Sequence, residues 1–197
     1  MTLLTISREP LVIKARRAPP RVDPEEMQMD AWTYLRACGT AIYLAHLGMG
    51  VPAKSFRFSP REPVQAITMS DNVRKGVSFF PAEALRVKTI AHAVARSRRV
   101  VALMDEPFKG TNVKDALDAS RAVLVRLAGN QGCVFLVSSH LIELGGDVLA
   151  TGRVDCRRFE AHEQAGRLQF DYLLRPGVST QRLGVRVLEE EGVFDLL

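Results

Sequence analysis

An apolar run that ends in two adjacent carboxylates constrains this chain more than any other feature. Val100-Val101-Ala102-Leu103-Met104 shows no polar alternation, and Asp105-Glu106 follow at once. Such a run suits a strand buried on both faces, as in a parallel sheet. Acids at the carboxyl end of that strand sit where open α/β sheets place their ligands. Two neighbouring carboxylates are costly to keep there unless a cation or a reacting water uses them. A plainer reading stays open, in which an ordinary core strand is followed by a helix start that favours acids.

A second fragment adds weight to the first. Cys133-Val134-Phe135-Leu136-Val137 is another continuous apolar run, ending in Ser138-Ser139-His140. Between the runs, Val113, Ala116, Leu117, Leu124 and Leu127 recur at helical spacing, with Lys114, Asp118 and Arg121 on other faces. Strand, helix, the turn Gly129-Asn130-Gln131-Gly132, and strand again make a βαβ unit, so the two strands run parallel. Asp105-Glu106 and Ser139-His140 then emerge at one edge of the sheet. Alone, His140 reads as a surface or capping histidine. Beside an acidic strand end it can sense or stabilise a γ-phosphate.

The run LMDEPFKGTNVKDALDASRAVL followed by CVFLVSSHLIEL resembles the C-terminal ATPase domain of the MutS family of DNA mismatch-repair proteins, which belongs to the ABC class of ATPases. The resemblance extends in collinear order over about 33–197. TYLRACGTAIYLAHLGMGVPAKS is similar to the helix after the phosphate loop and the turn beyond it. SDNVRKGVSFFPAEALRV is similar to the segment bearing a serine that acts in trans, and DYLLRPGVSTQRLGVRVLEEEGVFDLL to the end of the domain. It implies an α/β fold, a three-layer P-loop-NTPase-like (ABC-class) domain with a mainly parallel central sheet. It also implies ATP and Mg²⁺ as ligands, with Asp105 holding the metal through water and Glu106 orienting the hydrolytic water. His140 would contact the γ-phosphate or that water, and Gly110, Thr111 and Asn112 would face a partner subunit. Ser78 would reach the γ-phosphate bound by the other protomer, so that each site of a dimer is completed by its partner. Taken singly, Ser78 and the Gly110-Thr111-Asn112 loop are ordinary turn residues.

One departure outweighs these matches. Where the family has a glycine-rich loop ending in Gly-Lys-Ser, just before Thr33, this chain reads Glu25-Glu26-Met27-Gln28-Met29-Asp30-Ala31-Trp32. A phosphate loop needs glycines that let backbone N–H groups converge, a lysine, and a hydroxyl for Mg²⁺. Ala31 and Trp32 stand at the lysine and hydroxyl positions, while Glu25, Glu26 and Asp30 add negative charge. At an effective dielectric of about 20, one misplaced charge at ~4 Å costs on the order of 4 kcal/mol. The strand that should feed the loop is also hard to find, because RVDPEE is polar and contains Pro24. The expected organisation is therefore an N-terminal extension over 1–32, replacing strand and phosphate loop, and a MutS-like ATPase domain over 33–197.

Length and composition agree with one domain: 197 residues, 47% hydrophobic, suffice for a substantial core. No run approaches the ~20 apolar residues of a membrane-spanning helix, and MTLLTISREP turns polar too soon for a signal peptide. Cys38, Cys133 and Cys156 lack metal spacing and suit a reduced, cytoplasmic protein, nucleoid-associated if bacterial. The net charge of +5 permits nucleic-acid contact without demonstrating it. The basic cluster from Arg96 to Arg99 reads as a solvated helix end.

Further elements are expected: a short strand at Leu11-Val12-Ile13, a helix over 33–47, a strand over 64–68 and a helix over 82–95. After His140, strands are expected over 153–159 and 168–174. A last helix should follow, capped by Ser179 or Thr180, with Leu183, Val187 and Leu188 facing inward.

Two functions follow from the resemblance. One is a mismatch-repair ATPase module that couples ATP binding and hydrolysis to mismatched or damaged double-stranded DNA and works as a homodimer or with a MutS-like partner, with no membrane role. The other is a non-enzymatic pseudo-ATPase that completes a partner's site in trans. A recombination or chromosome-organising ATPase of the ABC class is a third option, which the DEPFKGTN and SSH sequences fit less well.

Overall fold

The computed structural model describes residues 2–6, 12–15, 31–66, 79–97, 99–164, 167–170, 173–181 and 183–197. The two apolar runs form β5 (Val100–Asp105) and β6 (Val134–Ser139), joined by α3 (Val113–Ala128). They pair in parallel with Asp105 opposite Ser138, and β5 also pairs in parallel with β4 (Glu62–Ala66). Every residue of β6 is buried, as is all of β5 up to Met104. Full burial explains why neither run alternates.

The other side of the sheet is built differently. The order is β10-β7-β1-β6-β5-β4, in which β1 (Thr2–Ile6) lies between β6 and β7 (Val154–Arg158) and runs antiparallel to both. β7 therefore points the same way as β4, β5 and β6, giving a mixed, mainly parallel sheet. The short β10 (Arg175–Pro176) closes that side against β7. β2 (Val12–Ala15) pairs with β3 (Ala53–Arg57), and β8 (Ala161–Gln164) with β9 (Arg167–Phe170), as separate ribbons. Sequence reading placed MTLLTISREP in the N-terminal extension and expected no strand there, yet Leu3, Leu4 and Ile6 are core residues. A lone apolar stretch of this length carries too little pattern to show that it is central.

Helices cover both faces. α1 (Ala31–His46) packs Ala31, Leu35 and Cys38 against Leu3, Leu103 and Leu136. One turn and more further on, Ile42 meets Val101 and Val134. α1 thus runs antiparallel to β5 and β6, and its N-terminus stands at the edge where those strands end. On the opposite face lie Ile90 and Val94 of α2 (Phe79–Ser97), Leu124 and Leu127 of α3, and Leu144 and Val148 of α4 (Ile142–Leu149). They pack on Leu4, Met104, Phe135 and Val137. Burying each such side chain contributes roughly 1.5–3 kcal/mol.

Three expectations about the C-terminal region are corrected. α5 (Gly184–Glu190) is capped by Leu183 without a side-chain hydrogen bond, not by Ser179 or Thr180. Its apolar residues do not face inward: Val187 is 45% and Leu188 43% exposed, and α5 buries no residue. Among the described residues α5 packs mainly on the single 3-10 turn Val193–Asp195, which buries no residue itself and is too small to cover a periodic face. The strand expected over 168–174 is β9, which ends at Phe170, and Leu173-Leu174 are not strand.

Candidate functional site

The acidic edge is assembled by the tips of β5 and β6. Asp105 is the last residue of β5, and its Oδ1 accepts a hydrogen bond from the hydroxyl of Ser138, which is fully buried. The Glu106 backbone N–H donates to both the hydroxyl and the carbonyl of Ser138, each at 3.2 Å. Glu106 adopts φ +44° and Phe108 φ +67°. Non-glycine residues in this region store about 1–3 kcal/mol each and persist only where their surroundings hold them. Here the surroundings are specific. Phe108 is buried with its ring 5.7 Å from Phe80, the hydroxyl of Ser120 donates to the Pro107 carbonyl at 3.3 Å, and Glu83 accepts the Gly110 N–H at 3.2 Å.

The left-handed turn at Glu106 carries its carboxylate to His140, with Nε2 2.5 Å from Oε1. Lys109 Nζ lies 3.8 Å from the other oxygen. The hydrogen bond from His140 holds the Glu106 carboxyl below the usual carboxylate range, against the opposing effect of burial, with added attraction from His140 and Lys109. Glu106 is therefore kept ionised. That suits polarising or orienting a water more than taking its proton outright. Asp105, Glu106 and His140 are thus brought to one edge of the sheet, as the βαβ reading requires.

The loop residues sit as follows. The Gly110 N–H is held by Glu83, Thr111 is half-buried, and Asn112 caps α3 by accepting the Asp115 N–H at 3.0 Å. Ser78 and the acidic stretch Glu25 to Asp30 lie outside the described residues. Sequence reasoning missed Ser138 and Glu83, both of which bond to groups distant in the chain. Only for Ser138 was there a signal: it is the first polar residue after the run, one place before the serine that was singled out.

Asp105 offers hard oxygen donors, and Mg²⁺ is commonly bound through one or two carboxylates, its other ligands being waters and substrate oxygens. The donor set fits that metal. No cluster of three His, Cys, Asp or Glu that could hold a metal occurs among the described residues, so water or substrate would have to complete the shell. The described residues do not fit the phosphates of ATP. Ala31, the first residue of α1, is completely buried and brings neither charge nor hydroxyl to the edge. β1 cannot feed a phosphate loop there either. Its Thr2 end lies opposite Ser139 and its Ile6 end opposite Phe135, so the chain leaves β1 away from Asp105.

A scan of family models matches residues 29–195 to MutS domain V. β1 and β2 lie outside that match. The chain is 32% identical over 164 residues to the DNA mismatch repair protein MutS 2 of Haloarcula marismortui, covering 83% of this chain and 17% of that relative. It is 26% identical over 164 residues to DNA mismatch repair protein MutS of Wolbachia pipientis wMel, covering 83% and 19%. With DNA mismatch repair protein MutS of Aquifex pyrophilus it shares 27% identity over 162 residues, covering 82% and 19%. The chain spans less than a fifth of the length of these relatives. With a family model matched over most of its length and the acidic edge built from the residues that carried the resemblance, this chain belongs to the MutS family of DNA mismatch-repair proteins, corresponding to its C-terminal domain.

Proposed function

We propose that this chain is a mismatch-repair ATPase module with a P-loop-NTPase-like, ABC-class architecture, whose own residues supply the metal-and-water half of a hydrolytic site. The observation that carries this reading is the paired arrangement at one sheet edge: Asp105 tied to Ser138 and Glu106 tied to His140. Asp105 is the residue to hold Mg²⁺, which when bound would neutralise charge on phosphate oxygens. Glu106, kept ionised by His140, would orient the attacking water, and His140 would contact the γ-phosphate of a bound nucleotide or that water. Gly110, Thr111 and Asn112 face a partner subunit, and Ser78 serves that subunit's nucleotide. In the longer proteins of the family the module couples ATP turnover to mismatched or damaged double-stranded DNA. A cytoplasmic location goes with that role, and no helix among the described residues is long and apolar enough to cross a membrane.

A second reading, a non-enzymatic module that completes a partner's site, draws support from buried Ala31 and the reversed β1. Calorimetry with Mg²⁺-ATP, with hydrolysis followed on the same sample, separates the two. Micromolar binding with turnover that Glu106→Gln abolishes is the outcome for the ATPase module. No binding up to millimolar ATP removes it and leaves the partner role. Loss of an intact partner's ATPase on Ser78→Ala would then be required, and an unchanged rate would end the second reading as well.

A further inference from the structure

Asp105 and Glu106 are adjacent in sequence, yet their carboxylates engage different partners. Unconstrained, two such acids at a strand end repel each other and fluctuate together. Both constraints come from the tip of β6. Ser138, directly opposite Asp105 in the ladder, gives its hydroxyl proton to Asp105, while His140 holds Glu106. The same Ser138 oxygen also accepts the Glu106 N–H at 3.2 Å. One buried hydroxyl thus fixes the side chain of the first acid and the backbone of the second. It acts at the residue whose φ of +44° turns the chain out of the strand. Alanine at position 138 would keep the strand and its packing but leave the Glu106 N–H with the Ser138 carbonyl alone and remove the hydroxyl from Asp105.

We infer that Ser138 is a positioning residue for the acidic pair, orienting Asp105 toward a divalent cation and holding Glu106 in the turned conformation that meets His140. The inference deepens the proposed metal-and-water half-site and rests on that reading for the identity of the cation. A ligand held by an oriented second partner loses about 10–100-fold in metal affinity when that partner is removed. Serine is suited to the task because its hydroxyl donates and accepts at once. Its small side chain also fits a position that is fully buried between β5 and β6.

The test uses the full chain, Mn²⁺ alone as the probe, and two readouts: Mn²⁺ affinity by calorimetry and the Glu106 amide resonance by NMR. Ser138→Ala is expected to weaken Mn²⁺ binding about tenfold and shift the Glu106 amide. Ser138→Thr, which keeps the hydroxyl, should restore both. Ser138→Cys keeps the size with a weaker donor, so if the alanine variant does not fold, the contrast of cysteine with threonine decides. Unchanged affinity and amide position in the alanine and cysteine variants would overturn the inference. So would equal losses in the threonine variant, since packing alone would then explain them. If the wild-type chain binds no Mn²⁺ but the Glu106 amide still shifts with alanine and recovers with threonine, Ser138 stands as the positioning residue and the metal role of Asp105 falls.

Discussion

The two halves of the central sheet obey different rules. β4, β5 and β6 are parallel neighbours, with continuous apolar runs in β5 and β6 and polar tips gathered at one edge. On the other side, β1 is reversed between β6 and β7, and β7 is only partly buried, with Cys156 buried and Asp155 exposed. The first half lies within the family match and holds the acidic site. The second depends on a strand that lies outside the match. The contrast teaches that a sheet can accept a strand of either direction wherever the apolar faces agree. A site built on strand tips is stricter, because reversing a strand takes its loop to the far edge.

The sharpest way to break this comparison is to empty each half in turn. Phe135→Ala, at a fully buried position of β6, is expected to cost about 3–5 kcal/mol, read as a fall in the urea midpoint at unchanged slope. Leu4→Ala in β1 should cost about 2–5 kcal/mol if the reversed strand is as integral as its burial states. A cost well under 1 kcal/mol would make β1 a loosely docked strand and the two halves energetically unequal. Asn112→Ala removes the cap of α3 at the site loop and should cost about 1 kcal/mol by the same denaturation.

The smallest effect is electrostatic. Because the folded pKa of Glu106 is depressed, the stability it contributes is present above its unfolded value of about 4.3 and lost as pH falls through the folded one. His140→Ala should flatten that acid limb of the stability–pH curve. The effect stays small because the His140 side chain is 65% exposed. An acid limb identical in both proteins would show that His140 does not hold Glu106 in solution.

Much of the parallel half was legible beforehand. The runs ending at Met104 and Val137, the helical spacing from Val113 to Leu127, and the resulting co-location of Asp105, Glu106 and His140 are local patterns that the fold follows. The reversed half was not. Five residues from Thr2 to Ile6 give no direction and no neighbour, and the periodic apolar residues of α5 give no sign that they stay exposed. Within the site, Glu83 and Ser138 were hidden for a related reason. The hydrogen bonds they make span 27 residues to Gly110, and 33 and 32 residues to Asp105 and Glu106.

The sequence by itself determined the family resemblance, the buried parallel strands and the residue types at their tips, because apolar periodicity and strand-end chemistry are properties of short segments. Only the tertiary structure decided that β1 would run backwards through the middle of the sheet, away from the acidic edge. It also decided that a buried serine on β6 would bond to the side chain of the last residue of β5 and to the backbone of the acid that follows it. Both are pairings between segments far apart in the chain, and their energies come from faces and hydrogen bonds that exist only once the sheet has closed around them.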